Sequence, residues 1–170
     1  MIWMICTTIT VMKKITISYK QQPTGNTCGP TCLYMALNYI INKPNDLPFD
    51  VYITKPIEEI AEDCGTDWVV GTPPERMVTG FEKYDMKYVE YIHSPNPYLL
   101  LKNVIDSGNI PIVRTITQGV PHWIIVNGYN KEKYNILDPW LGQIQYTQEQ
   151  LDHIWSPRQY QFFEIITDEN

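Results

Sequence analysis

Cys28 follows Gln22 by six residues in the segment Gln22-Pro-Thr-Gly-Asn-Thr-Cys28-Gly29-Pro30. Beyond it, Leu33, Ala36, Leu37, Ile40 and Ile41 recur at helical spacing. Pro30 suits a first helical turn, where a missing N–H loses nothing. Cys28 therefore opens a helix. A helix start presents free N–H groups and about half a positive charge. Both stabilise a thiolate, and the same N–H groups can receive an oxyanion. Gly29 beside the sulfur would let a substrate backbone approach closely. Taken alone, a free cysteine is more often a small buried hydrophobe.

Two further groups complete a reactive set. His122 stands at the mouth of an apolar β-branched run, His122-Trp-Ile-Ile-Val-Asn-Gly. Asp138 ends the next such run, Tyr-Asn-Ile-Leu-Asp138-Pro139. Each has a bland reading, a structural histidine and a simple Asp-Pro turn starter. The turn formers between the runs predict a hairpin. A turn centred on Asn130 would set Val126 opposite Tyr134, Ile124 opposite Ile136 and His122 opposite Asp138. Cross-strand partners have Cβ atoms about 5 Å apart. A register slip of two residues keeps both side chains on one face, and a slip of one separates them. In an even register the set comprises a nucleophile (Cys28), a base (His122) and a group that orients the base (Asp138). The Gln22 amide and the Cys28 backbone N–H would then form the oxyanion hole.

This order and spacing resemble papain-like cysteine peptidases, specifically the C39 and C39-like group. The resemblance rests on Gln22 and Cys28-Gly29 at a helix start, His122-Trp-Ile-Ile-Val, and Ile-Leu-Asp138-Pro139, and it spans residues 15–166. It implies an α+β papain-like fold, with a helical N-terminal lobe packed on an antiparallel sheet lobe and the cleft between them. It also implies a thiol peptidase that hydrolyses a peptide or isopeptide bond through a thioester, acts on a peptide or protein, and needs no cofactor. A deamidase, amidase or acyltransferase would use the same groups. A non-catalytic peptide-binding module is less well supported, because all four catalytic-type residues are present. Trp68, Trp123 and Trp140 are candidate substrate contacts beside Gly29, with packing as the alternative for the two tryptophans that adjoin His122 and Asp138.

The elements that must position these groups follow from patterning. Lys14–Tyr19 alternates as a short strand. Helices are expected near 55–64, 73–83 and 97–106, with Thr72 and Glu75 as a capping box. Strands are expected over Lys87–Ile92, Ile110–Thr117, His122–Gly128, Tyr134–Asp138, Gln143–Tyr146 and Gln159–Ile166, with a helix near 147–154 between the last two. Helices first and antiparallel strands afterwards make an α+β chain.

Composition narrows the class further. A chain of 170 residues with 44% hydrophobic residues suits one globular domain. We assign residues 14–170 to it and read 1–13 as an N-terminal extension, with Met12 as a second plausible start. The net charge of −6, with no cluster of Lys or Arg, argues against a nucleic-acid partner. No run approaches the roughly 20 apolar residues of a membrane span, and residues 1–11 make a poor signal peptide. Four cysteines are too few for a disulfide framework. A reducing, cytoplasmic compartment fits them, with a secreted effector as the alternative. Cys32, one turn after Cys28, is expected in the core, and Cys6 and Cys64 as structural. A zinc site of Cys28, Cys32, Cys64 and His122 is disfavoured, because only one cysteine pair has ligand spacing. His93 and His153 belong to no motif. The oligomeric state is not legible.

Overall fold

The computed structural model describes residues 12–42 and 55–167, so Cys6 lies outside the described residues. Three helices come first: α1 (Cys28–Ile41), α2 (Ile57–Cys64) and α3 (Pro74–Lys83). Helix α1 is buried nearly all round from Cys28 to Asn38, apart from Tyr34. Gly29 is the reason α3 can come so close. A Cβ there would meet the Met77 sulfur at 2.6 Å and the Thr72 Cβ at 3.0 Å.

The remainder is dominated by an antiparallel sheet. Strands β1 (Lys13–Lys14), β2 (Tyr88–Tyr91), β3 (Ile110–Thr117), β4 (Val120–Tyr129), β5 (Lys133–Asp138), β6 (Gly142–Thr147) and β7 (Phe162–Ile165) form it, with order β2-β7-β3-β4-β5-β6. Helices α4 (Pro97–Asp106) and α5 (Gln148–Trp155) interrupt them. The expected α+β class is therefore what the chain adopts. Strands β3 and β7 are largely buried on both faces. Phe163 packs against Phe81 of α3 at 5.1 Å between ring centroids, while its neighbour Phe162 packs against Trp155 of α5 at 5.9 Å.

Several expectations need correction. Lys14–Tyr19 alternates in burial, with Ile15 and Ile17 inward, but only Lys13 and Lys14 pair as strand. Lys13 thus belongs to the sheet, one residue across the expected domain boundary. Thr72 does not cap α3. Pro73 takes that place, the Thr72 hydroxyl pairs with Thr66 at 2.9 Å, and its carbonyl accepts the Trp123 indole N–H at 2.7 Å. The last strand begins at Phe162 because Gln159 and Tyr160 adopt left-handed backbones, with φ of 57° and 56°.

The β4–β5 hairpin differs most. Its turn is Asn130–Lys133, closed by the Asn130 side chain, which accepts the Glu132 and Lys133 N–H groups at 2.9 and 2.8 Å. Next to the turn Tyr129 pairs with Tyr134, and Gly128 with Asn135. This is three residues from the register first expected, an odd slip. A bulge between Val126 and Gly128 then absorbs one residue, so Val126 pairs with Ile136 and Ile125 with Leu137. Past the bulge the slip is two, and the parity is restored. The bulged Asn127 is occupied with β1: its carbonyl accepts Ile15 N–H at 2.7 Å, and its amide donates to the Ile15 carbonyl at 2.9 Å. Gly128 leaves room for that approach, since a Cβ there would lie 2.5 Å from the Lys13 carbonyl oxygen.

Gly128→Ala should therefore destabilise the protein by about 1–3 kcal/mol, the usual penalty for forcing extra volume against a backbone. Urea unfolding of the two proteins measures it, and an unchanged midpoint would contradict the close packing of β1 on the bulge.

Candidate active site

The loop before α1 is built so that the helix start stays open. Thr27 has a side chain capable of capping, yet it caps nothing in the helix. Its hydroxyl donates to the Thr24 carbonyl at 3.0 Å and accepts the Thr24 N–H at 3.3 Å. The first helical N–H groups, those of Cys28 and Gly29, are therefore left without the usual side-chain acceptor, and Pro30 has none to offer. Cys28 is only 5% exposed, at the floor of a cleft of about 490 Å³.

His122 and Asp138 meet because of the bulge. In the register past it, Asp138 falls beside Ile124 and diagonal to His122 on the same face. The ring Nε2 lies 2.8 Å from Asp138 Oδ1, and the two side chains are 2% and 1% exposed. The same Oδ1 accepts the Trp140 and Leu141 N–H groups at 2.8 and 3.0 Å. Asp138 is thus a turn starter and the partner of His122 at once. Two contacts tie this corner to the loop that leads to Cys28. The Tyr19 hydroxyl donates to the Asp138 carbonyl at 3.0 Å, and the Gln22 N–H donates to the Pro139 carbonyl at 2.9 Å.

With Nε2 engaged, Nδ1 is the ring nitrogen left for Cys28. Burial works against a charged His122 ring, but the hydrogen bonds to Asp138 and to Cys28, with their negative charges, raise its pKa to about 9. Cys32 is fully buried, and its pKa is pushed up by burial first and then by the charges of Cys28 and Asp138. It remains a thiol. Cys64 is driven up to about 12 by burial. Among the described residues no three His, Cys, Asp or Glu side chains gather as metal ligands.

The other expected site residues divide. The Gln22 amide nitrogen donates to the Thr24 carbonyl at 2.7 Å, which uses one of its two hydrogens. Gly29 faces Thr72 and Met77, so helix packing, and not substrate approach, is what requires glycine there. Trp123 is 3% exposed and stacks on Phe163 at 5.6 Å, with only a face on the cleft. Trp140 borders the cleft, half exposed, with its ring 6.1 Å from that of His122. Trp68 does not line the cleft itself. It stands beside the wall residues Val69 and Val70 on a loop that Asp67 and Gly71 close with reciprocal backbone bonds of 2.9 and 2.8 Å. The Asn26 side chain donates to the Trp68 carbonyl and so joins the two loops of the rim. The sequence reading missed Tyr19 and the bulge at Asn127. The Asn127-Gly128 pair was a readable signal for the bulge, since glycine inside a strand marks irregularity or close backbone approach.

Comparison with known proteins agrees with this geometry. The Peptidase_C39 like family matches residues 14–163. No curated protein matches in sequence. Among solved structures, the chain is similar to a double glycine motif protease from an AMS/PCAT transporter, determined in complex with the leader peptide. The TM-score is 0.67 at 18% identity, covering 90% of this chain and 94% of that one. It is also similar to the peptidase domain of Streptococcus ComA, a bifunctional ABC transporter of a quorum-sensing pathway. There the TM-score is 0.66 at 16% identity, covering 91% and 99%. The fold is thus the papain-like one of C39 peptidase domains.

The raised pKa of His122 has a stability consequence of definite sign. The protonated ring is favoured in the folded protein, so its contribution is full below pH 6.5 and is lost as pH rises through about 9. Asp138→Asn should lower stability by about 2 kcal/mol at pH 6, within the range for hydrogen bonds to charged groups. That difference should shrink as pH rises to 10, leaving only the part due to the Trp140 and Leu141 N–H groups. Urea unfolding of both proteins at the two pH values tests this, because other alkaline titrations cancel between them.

Proposed function

The chain belongs to the C39-like family of cysteine peptidases, and on that footing we propose that it hydrolyses a peptide or isopeptide bond through a thioester at Cys28. The observation that carries the reading is the buried His122–Asp138 bond of 2.8 Å, with the ring also bonded to Cys28 at an uncapped helix start.

In this mechanism Cys28 and His122 rest as thiolate and imidazolium. The sulfur attacks the scissile carbonyl carbon. The oxyanion takes hydrogen bonds from the Cys28 N–H and the second hydrogen of the Gln22 amide. His122 gives its Nδ1 proton to the leaving nitrogen, the C–N bond breaks, and the amine departs. Water then loses a proton to Nδ1 and adds to the thioester carbonyl. The acid leaves, and thiolate and imidazolium are restored. Asp138 holds the ring by Nε2 throughout and stabilises its charge.

An extended peptide suits the cleft. Trp68, Val69, Val70, Val120, Trp140 and Leu141 are exposed around it, an unusual concentration of apolar surface. Apolar substrate residues on either side of the bond would cover them. The leader peptide bound by the AMS/PCAT protease supports a peptide as the occupant. Cys28, Cys32 and Cys64 are all free, which fits a reducing compartment. No helix among the described residues is long and apolar enough to cross a membrane.

Mass spectrometry of peptides and proteins incubated with the enzyme tests the reaction. New termini support hydrolysis, whereas a gain of about 1 Da or an adduct would assign the same thioester to deamidation or acyl transfer. Cys28→Ala should lower turnover by several orders of magnitude, and Gln22→Ala by about a hundredfold. Cys32→Ala should mainly reduce stability, by about 1–2 kcal/mol. Iodoacetamide at pH 6 should label Cys28 first. Preferential labelling of Cys32, or full activity in Cys28→Ala, would overturn the assignment.

A further inference from the structure

Arg114 lies opposite Trp123 in the β3–β4 ladder and enters the wall of the cleft that holds Cys28. It is a half-buried guanidinium with a neutral partner. Its Nη1 donates to the Gln161 side-chain oxygen at 2.9 Å, and its backbone N–H donates to the Gln161 carbonyl at 3.1 Å. The Gln161 amide nitrogen turns the other way, to Glu90 at 2.6 Å. The amide thus stands between the guanidinium and that carboxylate. Among the described residues no carboxylate lies within ion-pair distance of Arg114.

A second cation adjoins the first. Gln161 donates its N–H to the Arg158 carbonyl at 3.0 Å, and the buried Nε of Arg158 has no partner among the described residues. Burial, and then the charge of Arg158, pull the Arg114 pKa below its ordinary value, against a smaller opposing pull from the Glu75 and Glu90 carboxylates, which lie beyond ion-pair distance. An anion in this corner of the cleft would relieve both effects. In a chain with 19 acidic and 13 basic residues, a guanidinium in the cleft wall that no described carboxylate contacts is open to one from outside. Its planar fork matches a carboxylate with two parallel hydrogen bonds.

We propose that Arg114 is the specificity-determining residue of an acidic subsite, which selects peptides carrying an Asp or Glu side chain close to the bond held at Cys28. The proposal rests on the peptide cleft of the proposed function and adds the chemistry of one substrate position. Neighbouring apolar residues of the same peptide would cover the rim.

The test reads binding and not turnover. Cys28→Ala protein is titrated with N-dansylated, C-amidated octapeptides of Leu, Ala and Gly that carry one Glu at each position in turn, and with the matching Gln set. The blocked ends leave the side chain as the only carboxylate. At one or two positions the Glu peptide should bind about tenfold tighter than its Gln twin. Adding Arg114→Gln should bring that ratio to about one. Arg114→Met, close in length, serves if thermal unfolding shows that Arg114→Gln has lost its fold. Equal binding of the two sets at every position, no binding of any Glu peptide, or a ratio that survives loss of the arginine would each overturn the subsite. Failure of the peptidase reading is separate, since it appears as absence of new termini with the wild-type enzyme.

Discussion

Strand parity is the constraint on which this site depends. Side chains alternate between the faces of a sheet, so His122 and Asp138 can meet only if their strands pair in an even register. The Asn130–Lys133 turn sets an odd one. One surplus residue at Asn127 converts it. The bulge in turn holds only because β1 closes over it, with Asn127 bonded twice to Ile15 and Gly128 leaving space for Lys13. A contact far from the cleft thereby decides which face of the sheet carries the His122 ring. The bulge lies one position beyond Val126, so every residue from Val126 back to His122 takes its orientation from it.

Asp138 plays the corresponding part at the other end of the hairpin. One carboxylate oxygen collects the imidazole and two backbone N–H groups, while its backbone carbonyl takes the Tyr19 hydroxyl. Loop, turn and the His122 ring are joined at one residue that is 1% exposed. Three contacts on that one buried oxygen fix the side chain against the His122 ring.

The helix start follows a different logic, since the function proposed for it competes with stability. A threonine cap typically contributes about 1 kcal/mol. Thr27 is in place to supply it and instead organises the loop from Thr24. The helix keeps its uncapped N–H groups and its partial positive charge beside the Cys28 sulfur. Stability comes from elsewhere, from burial of α1 on nearly all sides and from the Phe162 and Phe163 clusters that bind the sheet to the helices on its two faces.

The local placement of Cys28, His122 and Asp138 was legible in the sequence because it depends on local signals. Turn formers, Pro30 and the apolar spacing that follows place Cys28 at a helix start without reference to any distant residue, and the apolar runs ending at His122 and Asp138 identify two adjacent strands. Helices α2 to α5 and most strand bounds were legible for the same reason. What the sequence could not decide were matters of long-range approach. The register of β4 on β5 depends on a bulge held by a strand more than 110 residues away in the chain. The need for glycine at position 29 comes from Met77 of α3 and from Thr72 in the loop before it. Trp123 and Trp140 have the same local character, yet one is core and the other borders the cleft. Residue type and spacing set what each group can do, but which side of the sheet it faces is a property of the closed fold, because one residue of slip reverses every side chain.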